Sequence, residues 1–352
     1  MANLLTRYGL KEYNYPYSIS FIDSFLDCSY KVFMTHFLKI KVDKVDFPRV
    51  FGTGVHNGLN KINEMLMNHC EECLNCPREC KLMSPKRSDA LKVKIEDCAI
   101  KQILMEKFLE KFDDRFEELA LASTTSTKEE IQEEILKHKQ YAFSGMCEVI
   151  FKTQPRGKVL LTESRFSCRL GEHDILGIVD LAMGVKEKIL NSKGEVVKEI
   201  PKTVILDYKT TGVKPSGTLP FRQLAVYAHL LENSNIKVNK VGAIYILKKG
   251  PPKIVRKGSA PFEQVTMAGA DLDKPEWHAL KEKTLDDIQE DMCMIKDQIS
   301  HGIFTKNRKS MFCATCELRG FCNDTKKLDK LIENGYGPIQ HEEENNELGD
   351  ND

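Results

Sequence analysis

Apolar residues recur at helical spacing through most of the first 150 residues of the chain. Phe21, Phe25 and Val32 follow this spacing and predict a helix over residues 18–40. Thr127 and Glu130 have the spacing of a capping box, which is typical of a helix start. Three more helices are predicted over residues 50–68, 88–119 and 127–150, the first of them entered through Gly52 and Gly54.

From residue 157 the pattern changes to short runs rich in Val, Ile and Leu, which are typical of β-strands. The predicted strands cover residues 157–162, 165–170, 175–184, 203–208 and 241–247. Helices are predicted over 220–233 and 273–300, and residues 191–194 have the composition of a turn in a hairpin extension. This order predicts an α/β protein with a central mixed sheet flanked by helices and a helical N-terminal region.

The pattern divides the chain into four expected regions. Residues 1–150 are mostly helical, 151–250 form the α/β core, 251–335 hold a basic hairpin, a helix and three clustered cysteines, and 336–352 form an acidic tail. Residues 341–352 contain six acidic residues and no Lys or Arg, so we expect this tail to be disordered.

The overall charge excludes a protein that binds polyanions by bulk charge alone. Lys and Arg total 52 among 352 residues, Asp and Glu also total 52, and the net charge is zero. A local basic groove remains compatible with this balance, because association depends on patches of charge as well as on totals. We find no apolar run near 18 residues and no signal-peptide pattern, so we expect an intracellular, cytoplasmic protein without a membrane span.

Several polar residues lie within or beside the predicted apolar strands. Asp207 and Lys209 are two residues apart and therefore share one face of a strand. There the carboxylate can bind a divalent metal, and the ammonium can orient a water molecule. The backbone carbonyl of Tyr208 between them is a further candidate oxygen ligand. Asp180 lies inside another apolar strand, where an ionised carboxylate is costly unless it is paired or bound to metal.

Two helices carry further candidates. Gln223 and Tyr227 are four residues apart and share one face of the helix after the Asp207 strand. His56, in the sequence Gly52-Thr-Gly-Val-His56, could supply a nitrogen ligand. Taken singly, each of these features also fits an ordinary salt bridge, an amphipathic helix or a structural histidine.

In chain order these features form four motifs: G-x-x-x-H at Gly52–His56, G-x-x-D at Gly177–Asp180, D-x-K at Asp207–Lys209 and Q-x-x-x-Y at Gln223–Tyr227. Together they resemble the PD-(D/E)XK nuclease superfamily, and in particular its RecB-type branch. The resemblance implies a restriction-endonuclease-like core in which His56, Asp180 and Asp207, with the Tyr208 carbonyl, bind Mg²⁺ or Mn²⁺. It further implies that Lys209 activates the attacking water, that Gln223 and Tyr227 steady the site, and that Glu163 matches a recurrent acidic strand position. Val179 stands where the name of the superfamily has proline.

The twelve cysteines include two tight clusters, which in a reducing compartment indicate metal ligands rather than disulfides. Cys313, Cys316 and Cys322 need a fourth partner, for which Cys28 is the candidate. This set resembles the iron–sulfur subset of the same nucleases, which implies a [4Fe–4S] cluster, with a Zn²⁺ site as the alternative. The second cluster, for which Zn²⁺ and a second iron–sulfur cluster both stay open, contains Cys70, Cys73, Cys76 and Cys80.

The resemblance predicts a metal-dependent DNA nuclease, and we expect an exonuclease that acts on single-stranded DNA ends. Residues 248–258 hold five basic residues and no acidic one, and could track a DNA backbone or simply increase solubility. The alternatives are a catalytically inactive DNA-binding or structural subunit of a recombination or repair complex, and an electron-transfer protein. Because the chain lacks helicase motifs, any helicase or recombination partner is expected to be a separate protein.

Overall fold

The computed structural model describes residues 4–8, 10, 16–40, 47–67, 99–113, 127–153, 157–211, 219–247, 265–310, 313–314 and 316–333. The chain divides into two compact units. Unit 1 comprises Met1–Lys44, Ser167–Leu176 and Leu285–Asp352, and unit 2 comprises Val45–Phe166 and Gly177–Thr284. The Cys70–Cys80 cluster, the basic segment 248–258 and the tail 336–352 lie outside the described residues.

The described helices are α1 (Leu4–Arg7), α2 (Ile19–Val32), α3 (Phe47–Met67), α4 (Ala99–Asp113), α5 (Lys128–Thr153), α6 (Phe221–Asn233), α7 (Pro275–Ser300), α8 (Arg319–Asn323) and α9 (Thr325–Glu333). A π-helix, Phe33–Phe37, follows α2 directly. The described strands are β1 (Tyr17–Ser18), β2 (Gly157–Leu170), β3 (His173–Leu190), β4 (Val196–Thr211), β5 (Lys240–Leu247) and β6 (Val265–Asp271). None of the described helices is both long and apolar enough to cross a membrane.

In the sheet, the strands follow the order β3-β4-β5-β6, and β2 pairs with β3 off this path. β3 and β4 pair antiparallel, β4 and β5 pair parallel, and β5 and β6 pair antiparallel. The predicted mixed sheet is therefore confirmed. The turn predicted at 191–194 is also confirmed, since it closes the long β3–β4 hairpin and contains Gly194 at a φ of 79°.

The core of unit 2 lies between the sheet and the helices α3, α4 and α5. It contains Phe51 and Val55 from α3, Phe108 from α4, Met146 from α5, and strand residues such as Leu206, all nearly inaccessible to solvent. The capping box at the start of α5 is confirmed, because the Glu130 amide donates to Thr127 Oγ1 at 3.2 Å and the Thr127 amide donates to Glu130 Oε2 at 2.8 Å.

The helix predicted over residues 50–68 is found as α3, but it is not entered through Gly52 and Gly54. The helix begins at Phe47, and both glycines lie inside it. Their role is close packing: a Cβ at Gly54 would lie 2.9 Å from the Phe108 ring and 3.0 Å from the Phe108 carbonyl oxygen, and one at Gly52 would lie 3.0 Å from Thr210 Oγ1. A glycine inside a helix costs about 1 kcal/mol relative to alanine, which here permits close contact with neighbouring elements.

Two further boundaries differ from the expectations. The two strands predicted on either side of residue 163 form the single strand β2, in which Glu163 adopts a φ of 41°. The helix predicted over 18–40 is interrupted by non-helical backbone at Cys28 and changes to π-helix at Phe33. Strand β6 and the short helices α8 and α9 have no counterpart in the predicted elements.

Unit 1 has its own apolar core, built mainly from aromatic rings of α2, the π-helix and the segment after α7. Phe304 packs against Phe25, Phe33 and Phe37, with ring centroids 4.8 to 6.0 Å apart. β1 pairs in parallel with Ile175 and Leu176 of β3. The segment 305–310 is fastened to α2, because the Tyr30 amide donates to the Thr305 carbonyl at 3.1 Å.

Candidate active site

His56 lies at the centre of a polar cluster in unit 2. Helix α3 carries it on the face that meets β2 and β4. Its Nδ1 lies 3.2 Å from Glu163 Oε1 and 3.8 Å from Asp180 Oδ2. Its Nε2 lies 3.1 Å from the Tyr208 carbonyl oxygen, so the Tyr208 carbonyl predicted as a ligand is beside the histidine.

Glu163 completes the cluster more fully than its weaker sequence match suggested. Its positive φ of 41° is unusual for a residue with a side chain, and such backbone strain concentrates at functional sites. One ligand atom from each of His56, Glu163 and Asp180 lies within 4.8 Å of the others, and among the described residues this set alone meets that distance. These three residues could therefore hold a metal ion.

Asp180 and Asp207 are the buried carboxylates of the site, with 7% and 1% of their surfaces exposed. Asp180 Oδ2 accepts a hydrogen bond of 2.7 Å from the Tyr208 amide, which ties β3 to β4 beside the cluster. Asp207 Oδ2 lies 2.9 Å from Lys209 Nζ in an ion pair. Among the described residues, this buried oxygen has no hydrogen-bond donor besides that ammonium.

Lys209, Gln223 and Tyr227 form a hydrogen-bonded chain that ends at Asp207. Lys209 Nζ lies 3.1 Å from Asp207 Oδ1 and donates to Gln223 Oε1 at 2.8 Å, while Gln223 Nε2 donates to the Tyr227 hydroxyl at 2.6 Å. The predicted common face of Asp207 and Lys209, and that of Gln223 and Tyr227, are both seen in this chain. Gly177 leaves room for it, because a Cβ there would lie 2.9 Å from the Tyr227 ring.

Burial sets the ionisation of these groups. Burial raises the pKa of Asp180 to about 7, with attraction from His56 opposing the rise and repulsion from Asp207 adding to it. Burial also raises the pKa of Asp207, against the lowering effect of Lys209. For His56, burial lowers the pKa, but the hydrogen bond to Glu163 and the neighbouring carboxylates outweigh it, so the pKa is raised overall.

This charge pattern fits a divalent cation. Among the described residues of the site, the three carboxylates of Glu163, Asp180 and Asp207 lie beside one lysine, Lys209, and one histidine, His56. A divalent ion is the species that offsets such clustered negative charge, and oxygen ligands suit Mg²⁺ and Mn²⁺. The buried Asp207 Oδ2 supplies a further oxygen ligand beside His56, Glu163 and Asp180.

A second layer of polar residues beneath the cluster was not identified from the sequence. Asn63 Nδ2 donates to the Tyr208 hydroxyl at 3.2 Å, and the Thr162 hydroxyl lies 2.9 Å from Asn60 Oδ1 and 3.1 Å from the Asp180 carbonyl oxygen. A signal was present, because Asn60 and Asn63 follow His56 at helical spacings of four and seven residues and so share its face.

In unit 1, a separate pocket is lined by Cys28, Cys313, Cys316 and Cys322. The predicted pairing of one N-terminal cysteine with the C-terminal three is therefore seen in space. Burial raises the pKa of Cys322; Lys306 opposes the rise, and the other three thiols add to it. The interruption of α2 falls at Cys28, one of the four residues that line the pocket.

A family model of the PD-(D/E)XK nuclease superfamily matches residues 16–323. The match covers both units, including all the site residues named above and the four cysteines of the unit 1 pocket. No curated protein matches the chain at a significant level of sequence similarity.

Proposed function

The chain belongs to the PD-(D/E)XK nuclease superfamily, and on that premise we propose that it is a metal-dependent DNA exonuclease that acts on single-stranded ends and carries a [4Fe–4S] cluster. Membership of the superfamily implies phosphodiesterase activity on nucleic acid. The observation that carries the proposal is the convergence of His56, Glu163 and Asp180 within 4.8 Å, beside the ion pair of Asp207 and Lys209.

In the proposed site, Glu163, Asp180 and Asp207 hold Mg²⁺ or Mn²⁺. A divalent ion bound there would polarise the scissile phosphate and lower the pKa of a bound water. His56 joins the ligands through Nδ1, or orients the Tyr208 carbonyl through Nε2. Residues 180 and 207 come from adjacent strands, so their carboxylates are positioned by the sheet itself.

Lys209 has the position expected of a group that orients the attacking water and stabilises negative charge developing on the phosphate. Its ammonium is held from two sides, by Asp207 and by Gln223. Tyr227 is proposed to act through Gln223, because its hydroxyl accepts the hydrogen bond from the Gln223 amide and only 5% of the residue is exposed. Gln223 and Tyr227 are therefore proposed as positioning residues for Lys209.

The four-cysteine pocket supports the proposed iron–sulfur cluster, because Cys28, Cys313, Cys316 and Cys322 all line it. Four thiolates are the ligand set of a [4Fe–4S] cluster, in which each thiolate binds a different iron. A Zn²⁺ ion bound by the same four thiolates is the alternative.

Basic groups around the pocket favour an anionic cluster. Lys306 donates to the Cys322 carbonyl and lies 4.6 Å above the Tyr30 ring, while Lys31, Arg308 and Arg319 also line the pocket. A cluster with four thiolates carries net negative charge, which these cations would offset. Cys70, Cys73, Cys76 and Cys80 are proposed as a further site for Zn²⁺ or a second iron–sulfur cluster.

Cleavage of linear and circular single-stranded DNA of one sequence tests the proposed activity. With Mg²⁺ or Mn²⁺, we expect mononucleotides or short products from the linear form and no cleavage of the circle, and no activity in EDTA. Lys209→Ala should abolish cleavage and leave DNA binding largely intact. Cleavage of the circle would refute exonuclease action, and full activity of Lys209→Ala would refute the site.

Metal analysis after anaerobic purification tests the cluster. About four irons with equal acid-labile sulfide per chain support one [4Fe–4S] cluster, as expected for four thiolate ligands. Cys28→Ala should lose the iron, while Cys147→Ala, which changes a buried cysteine outside the pocket, should retain it. A chain that is purified with zinc alone would contradict the iron–sulfur proposal and leave the nuclease site untouched.

A further inference from the structure

An open groove of about 520 Å³ begins at the proposed metal site and extends along α3 to α4. Its lining comes entirely from unit 2: Gly52, Thr53, His56, Asn57, Asn60, Lys111 and Glu163. His56 and Glu163 are shared with the metal site, so whatever occupies the groove is adjacent to the reacting phosphate. The other described residues of the lining are small or polar, and they include one cation, Lys111.

The chemistry of this lining suits a phosphate. A hydroxyl, two side-chain amides and an ammonium are the donors that proteins use most on nucleic-acid backbones. The neighbouring carboxylates Glu163 and Asp180 repel a polyanion, which makes a cation across the groove valuable for binding. Lys111 is the residue of the groove that supplies that charge.

The position of Lys111 relative to His56 is fixed by close helix packing. Gly54 and Gly58 of α3 lie one turn apart, and a Cβ at Gly58 would lie 2.9 Å from Met146 Sδ and 3.3 Å from the Leu104 carbonyl oxygen. The Asn57 side-chain amide also donates to the Lys107 carbonyl at 2.8 Å. Helix α4 therefore forms a firm wall of the groove.

We propose that this groove binds a backbone phosphate of the substrate strand next to the scissile one, and that Lys111 contacts this phosphate. The inference rests on the proposed nuclease function and adds a binding residue to it. Thr53 and Asn57 line the same groove from α3. Lys111 contributes to affinity for the strand and does not take part in bond cleavage.

The test compares two lysines on one helix. Lys111→Ala removes the cation in the groove, whereas Lys107→Ala removes the same charge one turn earlier, from a residue outside the groove lining that pairs with Glu110 at 2.8 Å. Both changes are made in the full chain, alone and together with Lys209→Ala, so that binding is measured without cleavage. The probe is a fluorescent single-stranded oligonucleotide, titrated in Mg²⁺ at several salt concentrations.

For Lys111→Ala we expect affinity to fall several-fold and the slope of log affinity against log salt to decrease by about 0.7, the value for one contact to single-stranded phosphate. Lys107→Ala should change neither the affinity for the oligonucleotide nor the salt slope. Lys111→Arg should keep both at the values of the unaltered chain. The affinity for Mn²⁺ should be the same in the unaltered chain and in these three variants. In the cleaving enzyme, Lys111→Ala should raise KM with little change in kcat.

If the unaltered chain cleaves normally, equal slopes of log affinity against log salt for Lys111→Ala and Lys107→Ala would overturn the groove inference. The proposed nuclease function would then still stand. A fall in kcat at unchanged KM would also overturn the groove inference, because it would place Lys111 in the chemical step. If the unaltered chain neither cleaves nor binds the oligonucleotide, both the proposed function and the groove inference fail.

Discussion

Replacing Asp180 by asparagine should stabilise the metal-free protein while it abolishes the response to metal. The ordinary pKa of this carboxyl is 3.8, and in the folded chain it is about 7. At about 1.36 kcal/mol per tenfold change in the dissociation constant, holding the charge in place above pH 7 costs about 4 kcal/mol. The neutral amide of the Asp180→Asn variant would avoid this cost and could keep the hydrogen bond from the Tyr208 amide.

Only part of this energy is recovered, because Asp180→Asn also removes the attraction to His56. Replacing buried ionised groups by neutral ones is often stabilising by about 1–4 kcal/mol, so we expect a gain of about 1–3 kcal/mol at pH 8. The assay is thermal unfolding in EDTA and in Mg²⁺. Mg²⁺ should raise the unfolding temperature of the unaltered protein. The Asp180→Asn variant should unfold at a higher temperature than the unaltered protein in EDTA, and Mg²⁺ should not change that temperature.

The matched control is Asp174→Asn on the same strand, where the side chain is 68% exposed and its loss should change little. Destabilisation of the metal-free protein by Asp180→Asn would refute the reasoning. It would mean that the carboxylates and His56 form a self-sufficient structural ion-pair network, and that the cluster does not depend on a bound cation.

The same geometry leads to three other predictions. Gly177→Ala should cost about 1–3 kcal/mol, the range for overpacking, and lower kcat by displacing Tyr227; unchanged kcat in a steady-state assay would contradict the proposed support of Lys209. The metal-free protein should become less stable from about pH 5 to 8, because folding raises the pKa of both Asp180 and His56 and the folded state therefore binds more protons; a stability that increases over this range in urea titrations would contradict it. Over the same range Mn²⁺ affinity, measured by calorimetry, should increase as the ligands lose their protons, and a flat profile would argue against carboxylate ligands.

Much of the fold follows from local pattern. The capping box at Thr127, the α6 helix and the β3–β4 hairpin turn are each specified by a few neighbouring residues, and each is found where the pattern predicts it. The candidate catalytic residues could be predicted equally well, because residue type and spacing fix which side chains share a face of a strand or helix. Asp207 with Lys209, and Gln223 with Tyr227, needed only the periods of strand and helix.

What could not be predicted depends on contacts between distant segments. Gly52 and Gly54 suggested the entry to a helix. Their role is to allow close contact with Thr210 and Phe108, which are distant in the sequence. The left-handed conformation of Glu163 was likewise not predicted, because the pattern separated two strands there, 157–162 and 165–170, where the chain forms the single strand β2. Thr162 contacts Asn60 and the Asp180 carbonyl oxygen only because α3, β2 and β3 lie side by side, which no local pattern predicts.

The central claim is that Glu163, Asp180 and Asp207 bind the divalent ion used for cleavage. Anomalous diffraction from crystals of the active protein grown with Mn²⁺ tests this most directly. The account predicts a manganese peak at coordination distance from Glu163 and Asp180, with Asp207 in contact with the same or an adjacent ion. Manganese bound elsewhere in the active protein, with these three carboxylates free of metal, would contradict it.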